Sequence, residues 1–152
     1  MFKDSLRPLD AGSLTLKGRL GNALRLSIAN RLKKIDYSHL VDPFRHRNER
    51  DGMWRCEFWG KIVRSSIMSW RGQPDAELLA MIKSSVHDLL STQTPDGCIS
   101  SYPLELQTKD WDIWGRKYAL IGLARYYLEI EPEEAVKNAI AREIDYLISQ
   151  VG

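Results

Sequence analysis

The sequence predicts an all-α protein built of αα-hairpin repeats that form part of a toroid, and three observations carry that expectation. Apolar residues recur at helical spacing almost everywhere after the first dozen positions. Turn-forming clusters at Arg71-Gly72-Gln73-Pro74, Thr94-Pro95-Asp96-Gly97 and Glu131-Pro132-Glu133-Glu134 divide the helical stretches into pairs. Two of those pairs also repeat one another, the mark of stacked supersecondary units.

Composition agrees with one helical domain over 1–152. A chain of 152 residues with 43% hydrophobic residues hides roughly 70% of its unfolded surface, so its core needs neither disulfide nor metal. The formal net charge of +2 is too small to argue for nucleic acid or a membrane surface, and neither partner is expected. No run approaches the ~20 apolar residues of a membrane span, and the opening Met1-Phe2-Lys3-Asp4-Ser5-Leu6-Arg7-Pro8 lacks a secretory apolar core. Cys56 and Cys98 form no CxxC pair, which predicts reduced thiols in a cytoplasmic protein and no metal in this chain. His39, His46 and His87 show no ligand spacing either; His87, next to Val86, borders a hairpin interface.

Residues 1–13 read as an extended lead-in, and 14–52 as one helix followed by a basic loop. Leu16, Leu20, Leu24, Ile28 and Leu32 recur every four positions, with Lys17, Arg19, Arg25, Arg31, Lys33 and Lys34 mostly elsewhere on the wheel. Pro43 and the run Arg45-His46-Arg47-Asn48-Glu49-Arg50 predict an exposed loop from Asp42 to Gly52.

The first hairpin covers 53–97. Its opening helix carries Trp59, Ile62, Ile67 and Trp70 and stops at Gly72, read as a left-handed C-cap before Pro74. Asp75 opens the return helix, marked by Leu79, Ile82, Val86 and Leu89/Leu90. A loop over 98–110 leads to the second hairpin, 111–152. Residues 112–130 are apolar on most sides, and the last helix has a narrower stripe at Val136, Ile140, Ile144 and Leu147/Ile148.

Glu57-Phe58-Trp59-Gly60-Lys61 aligns with Asp112-Ile113-Trp114-Gly115-Arg116 at an offset of 55, each position identical or chemically matched. Gln73-Pro74-Asp75 then matches Glu131-Pro132-Glu133 at 58, and Gln93 matches Gln150 at 57. Stacked repeats of this kind complete their apolar faces with neighbouring units. The expectation is an arc that associates with copies of itself or belongs to a longer chain.

The runs Trp54-Arg55-Cys56-Glu57-Phe58-Trp59-Gly60-Lys61, Leu90-Ser91-Thr92-Gln93-Thr94-Pro95-Asp96-Gly97 and Trp111-Asp112-Ile113-Trp114-Gly115-Arg116-Lys117-Tyr118 resemble glycoside hydrolase family 127, the β-L-arabinofuranosidase-like enzymes. The likeness runs from about residue 14 onward. It implies part of an (α/α)6 barrel of six hairpins and a carbohydrate ligand. It also implies a zinc-held cysteine nucleophile and a separate glutamate acid/base, all in the later part of the barrel. Neither Cys56 nor Cys98 matches those positions, so no catalytic or metal residue is assigned here. Where some members have His-Glu, this chain has Trp111-Asp112, a departure at a sugar-contacting position.

Tryptophan faces stack on the C–H faces of sugars, and charged groups beside them orient hydroxyls. Trp54, Glu57, Trp59 and Lys61, and Trp111, Asp112, Trp114 and Arg116, bring those groups together at two helix starts. These residues other than Trp114, together with Asp96 in the Pro-Asp-Gly turn, are the substrate-side set, and Tyr102 is a lesser candidate. Each has a structural reading beside the functional one. Trp59 and Trp114 also suit helix packing, Glu57 and Asp112 also suit helix-start acids, and Asp96-Gly97 also suits a tight turn. Gly60 and Gly115 predict close backbone approach, since each costs about 1 kcal/mol against Ala inside a helix. The expectation is the N-terminal segment of a six-hairpin glycoside hydrolase, inactive alone; the alternative is a non-catalytic helical-repeat module that binds carbohydrate or protein.

Overall fold

The computed structural model describes residues 9–151, which hold six α-helices and no strand. They are α1 (Gly18–Asn30), α2 (Tyr37–His46), α3 (Glu57–Gly72), α4 (Ala76–Ser91), α5 (Asp112–Glu129) and α6 (Glu134–Val151). Single 3-10 turns lie at Leu32–Lys34 and Leu104–Leu106. The all-α class expected from periodicity holds for these residues.

Helices α3 and α4 form the first predicted hairpin and α5 and α6 the second. Asp75 opens α4 as expected, its carboxylate accepting the Leu78 N–H at 2.8 Å. Gly97 takes the positive φ of 108° that the Pro-Asp-Gly turn requires. Gly72, by contrast, is not a left-handed cap: it is the last helical residue, and Gln73 after it is extended. A Cβ at Gly72 would lie 3.2 Å from Leu24, so glycine there serves the approach of α1.

The two hairpins join through their first helices, which run parallel. Cys56 meets Gly115 and Gly60 meets Tyr118 near the helix starts, while Arg71 pairs with Glu129 at 3.3 Å near the ends. Small residues permit this closeness. A Cβ at Gly60 would overlap the Tyr118 carbonyl, one at Gly115 would overlap the Cys56 thiol, and one at Gly122 would sit 2.7 Å from the Trp59 ring. The close approach expected at Gly60 and Gly115 is therefore present. Trp59, Val63 and Ile67 of α3, Leu78, Ile82, Val86 and Leu89 of α4, and Ala119, Leu123 and Tyr126 of α5 form one buried cluster.

The structure changes the sequence expectations in the N-terminal third. The loop expected from Asp42 begins only at Arg47, because α2 runs through Pro43 to His46. Tyr37, Val41 and Phe44 give that helix a buried stripe at helical spacing, which outweighs the backbone hydrogen bond that Pro43 cannot donate. Glu49 is also wholly buried. The single helix expected through Leu32 ends at Asn30, with Ile28 and Leu32 buried but Leu20 in solvent. The lead-in expected over 1–13 lies partly outside the described residues. Its described part turns at 11–14, where the Gly12 N–H donates to the Arg71 carbonyl at 3.0 Å.

On α6 the buried face is Val136, Ala139 and Glu143, while Ile144 and Ile148 are exposed. An open apolar groove of about 410 Å³ remains between α5 and α6, lined by Ile113, Leu120, Ile121, Ile140, Ile144 and Leu147 among others. Among the described residues no helix is long and apolar enough to cross a membrane.

Candidate functional site

The parallel docking of α3 on α5 brings their N-terminal ends side by side. Between them lies an open pocket of about 390 Å³, lined by Trp54, Glu57, Lys61, Trp111 and Trp114. Trp54, Trp111 and Trp114 each expose between a third and just over half of their surface. Trp111 and Trp114 meet edge to face with centroids 5.8 Å apart, and Trp114 meets Tyr118 in the same way at 5.3 Å. The result is a wall of fixed aromatic rings open to solvent.

Glu57 is the carboxylate of this pocket. Its Oε1 pairs with Lys61 at 2.6 Å and its Oε2 accepts the Trp114 indole N–H. Burial pushes the Glu57 carboxyl up, but the hydrogen bonds from Lys61 and Trp114 and the charges of Lys61 and Lys117 outweigh it, so it lies below the ordinary carboxylate range. Glu57 is thus held ionised, and it fixes the orientation of one indole. Lys117 lies over the Trp114 ring at 3.4 Å and over Tyr118 at 4.3 Å, while Lys61 lies 4.9 Å over Tyr118.

Two buried acids anchor the segments that carry the pocket. The Glu49 carboxylate accepts the backbone N–H groups of Arg55 and Cys56 at 2.9 and 3.2 Å, the Arg55 side chain at 3.1 Å and the Ser101 hydroxyl at 2.9 Å. Glu49 is therefore satisfied where α3 begins, directly after Trp54. Asp112 does the same work at α5, accepting the Ser100 hydroxyl and, at 2.7 Å, the Thr108 N–H. Tyr102, wholly buried, donates to the Met53 carbonyl and steadies the segment before Trp54. Gly52, at φ 73°, lets that segment pass beside the Trp111 indole.

Of the eight substrate-side residues read from the sequence, the structure gathers Trp54, Glu57, Lys61 and Trp111 in the pocket. It removes the other four. Trp59 is wholly buried and donates to the Ser85 hydroxyl at 2.9 Å, because α5 closes over it at Gly122. Asp112 and Arg116 are buried with Glu143, Arg116 also reaching Cys98, Gln107 and Gln150. Asp96 accepts the Thr94 hydroxyl inside its own turn and does not line the pocket. Trp59 and Trp114 match in sequence, yet one is core and the other wall. Glu49, Lys117 and Tyr118 are contributors that the sequence reading missed.

The cysteines do not form a set suited to zinc. Cys98 accepts the Arg116 guanidinium at 3.0 Å, a cation where a metal ligand would want none. The Cys56 thiol lies against Gly115, and burial pushes it up to about 12. Among the described residues no group of three His, Cys, Asp or Glu could hold a metal ion.

Fold and site together define an all-α protein of packed helical hairpins with an aromatic, charge-flanked pocket at the paired starts of two parallel helices. The chain matches no protein-family model, no curated protein and no solved structure.

Proposed function

We propose that this chain is part of a six-hairpin glycoside hydrolase toroid resembling family 127, and that it supplies a substrate-side sugar platform rather than the reacting groups. The observation that carries this reading is the pocket of Trp54, Trp111 and Trp114 with the ionised Glu57 and Lys61 beside them. Rings offer stacking area to sugar C–H faces, and carboxylate and ammonium offer hydrogen bonds to hydroxyls. The parallel α3 and α5, each followed by an antiparallel partner, supports the ring architecture, because a ring of hairpins needs its first helices side by side in one direction. Helix α5 also keeps an uncovered apolar face, as a unit awaiting a neighbour would.

Glycoside hydrolysis ordinarily takes two carboxyl groups about the scissile bond. Among the described residues Glu57 is the one carboxylate lining the pocket, and Asp112 turns away to Ser100, Thr108 and Arg116. That observation favours a second reading, a non-catalytic carbohydrate-binding module, over hydrolysis by this chain alone.

Titration with neutral methyl glycosides of pentoses and hexoses, followed by tryptophan fluorescence, tests the platform. Binding that disappears in Trp111→Ala with the fold retained is the expected result; no binding by any glycoside, or binding indifferent to Trp111→Ala, sinks it. Turnover of aryl arabinofuranosides by the purified chain would overturn the assignment of the chemistry to residues outside it.

A further inference from the structure

Resting on the sugar-platform reading, we infer that the pocket selects an acidic sugar, one bearing a carboxylate, and that Lys117 is the residue that recognises it. The argument is one of charge. Two ammonium groups stand against the same aromatic cluster: Lys61 lines the pocket beside its carboxylate, Glu57, and Lys117 sits on Trp114 at the pocket's border, where it also lines the groove between α5 and α6. Glu57 is used up: Lys61 holds one oxygen and Trp114 the other. Lys61 is correspondingly neutralised.

Lys117 is left over. Among the described residues it has no carboxylate within salt-bridge distance, and its ammonium is seated on the Trp114 face at 3.4 Å. An ammonium on an indole keeps its hydrogen-bonding capacity for a third group. The other charges on the segments carrying Trp54 and Trp111 cancel in neighbouring pairs, Arg50 with Asp51 and Lys109 with Asp110, and Arg55 is tied to Glu49. One positive charge without a salt-bridge partner therefore borders the rings, and because it already covers a face of Trp114, it suits a uronate stacked on Trp111 with its carboxylate toward Lys117.

The test compares trigalacturonate with its fully methyl-esterified form, which differs in charge at the same ring carbons. Binding is read from the indole N–H signals of Trp111 and Trp114 in proton–nitrogen correlation spectra. The acid form is expected to bind about two- to fivefold tighter, the scale of one exposed charge contact. That advantage should vanish in Lys117→Gln and in high salt, which shortens the range of the interaction. Equal binding of the two forms leaves the sugar platform standing and overturns the acidic selectivity. A preference that survives Lys117→Gln overturns the role of Lys117. Indole signals unmoved by either form, together with no binding of neutral glycosides, overturns the inference and the platform together.

Discussion

The indole of Trp114 donates to the carboxylate of Glu57, joining two residues 57 positions apart and tying the start of α5 to the start of α3. Lys61 holds the other oxygen of Glu57, so the contact fixes both a wall of the pocket and the charge beside it.

Because its carboxyl is held below the ordinary 4.5, Glu57 stabilises the fold at neutral pH. That contribution is present above the unfolded value and is lost as pH falls through the depressed folded value. Urea unfolding from pH 7 to pH 3 should show wild type more stable than Glu57→Gln at pH 7 and the gap closing in acid. A gap independent of pH would show that charge plays no part.

Gly115→Ala and Gly60→Ala should each destabilise by about 1–3 kcal/mol through overpacking of the α3–α5 contact. They differ in repair. The obstacle at Gly115 is the Cys56 side chain, so Cys56→Ala should recover part of the Gly115→Ala loss. At Gly60 the obstacle is the Tyr118 backbone carbonyl, and Cys56→Ala should leave Gly60→Ala unrepaired. A double-mutant cycle in denaturant measures both.

Glu49→Ala should cost about 3–5 kcal/mol, since it strands the buried Cys56 N–H and Ser101 hydroxyl and releases the part-buried Arg55 N–H. Thermal unfolding checks the loss. Glu49→Gln, which keeps the shape but removes charge and one acceptor oxygen, should fall between wild type and Glu49→Ala.

Glu143 gives the opposite pH dependence to Glu57. Burial is the largest influence on its carboxyl and raises it from 4.5 to about 7, although Arg116 and the Ile99 N–H pull it back. A carboxyl raised on folding binds its proton more tightly in the native state. Its contribution to stability is therefore greatest below the unfolded value and declines as pH rises from about 4.5 to about 7. Glu143→Gln should flatten that decline in urea titrations across pH 5 to 8; an unchanged slope would assign it elsewhere.

The apolar groove between α5 and α6 should drive concentration-dependent association. Light scattering should report growth in mass with concentration, reduced by Ile144→Lys at the groove's exposed side. A monomer at all concentrations would contradict this.

Much of the helical order was legible in the chain itself. The apolar stripe of α4, the Asp75 cap, the Asp96-Gly97 turn and the close approach at Gly60 and Gly115 depend on spacing and local backbone chemistry, which a linear text carries. Half of the substrate-side set was legible for the same reason: Trp54, Glu57, Lys61 and Trp111 sit at the two helix starts that the repeat marks. Glu49 was not, because its charge and its setting in a basic run read as solvated surface. Only the fold shows that the loop at Ser101 and the start of α3 converge on it.

Trp59 and Trp114 separate what each level decides. Sequence alone determined that both indoles stand at the third position of matched helix starts, followed by a glycine that admits a neighbour. Tertiary structure alone decided their fates: α5 lies over α3 and seals Trp59 beneath Gly122, whereas among the described residues no helix seals Trp114, whose indole reaches back to Glu57. Burial depends on which faces are covered by elements distant in the chain, and a local pattern holds no record of that.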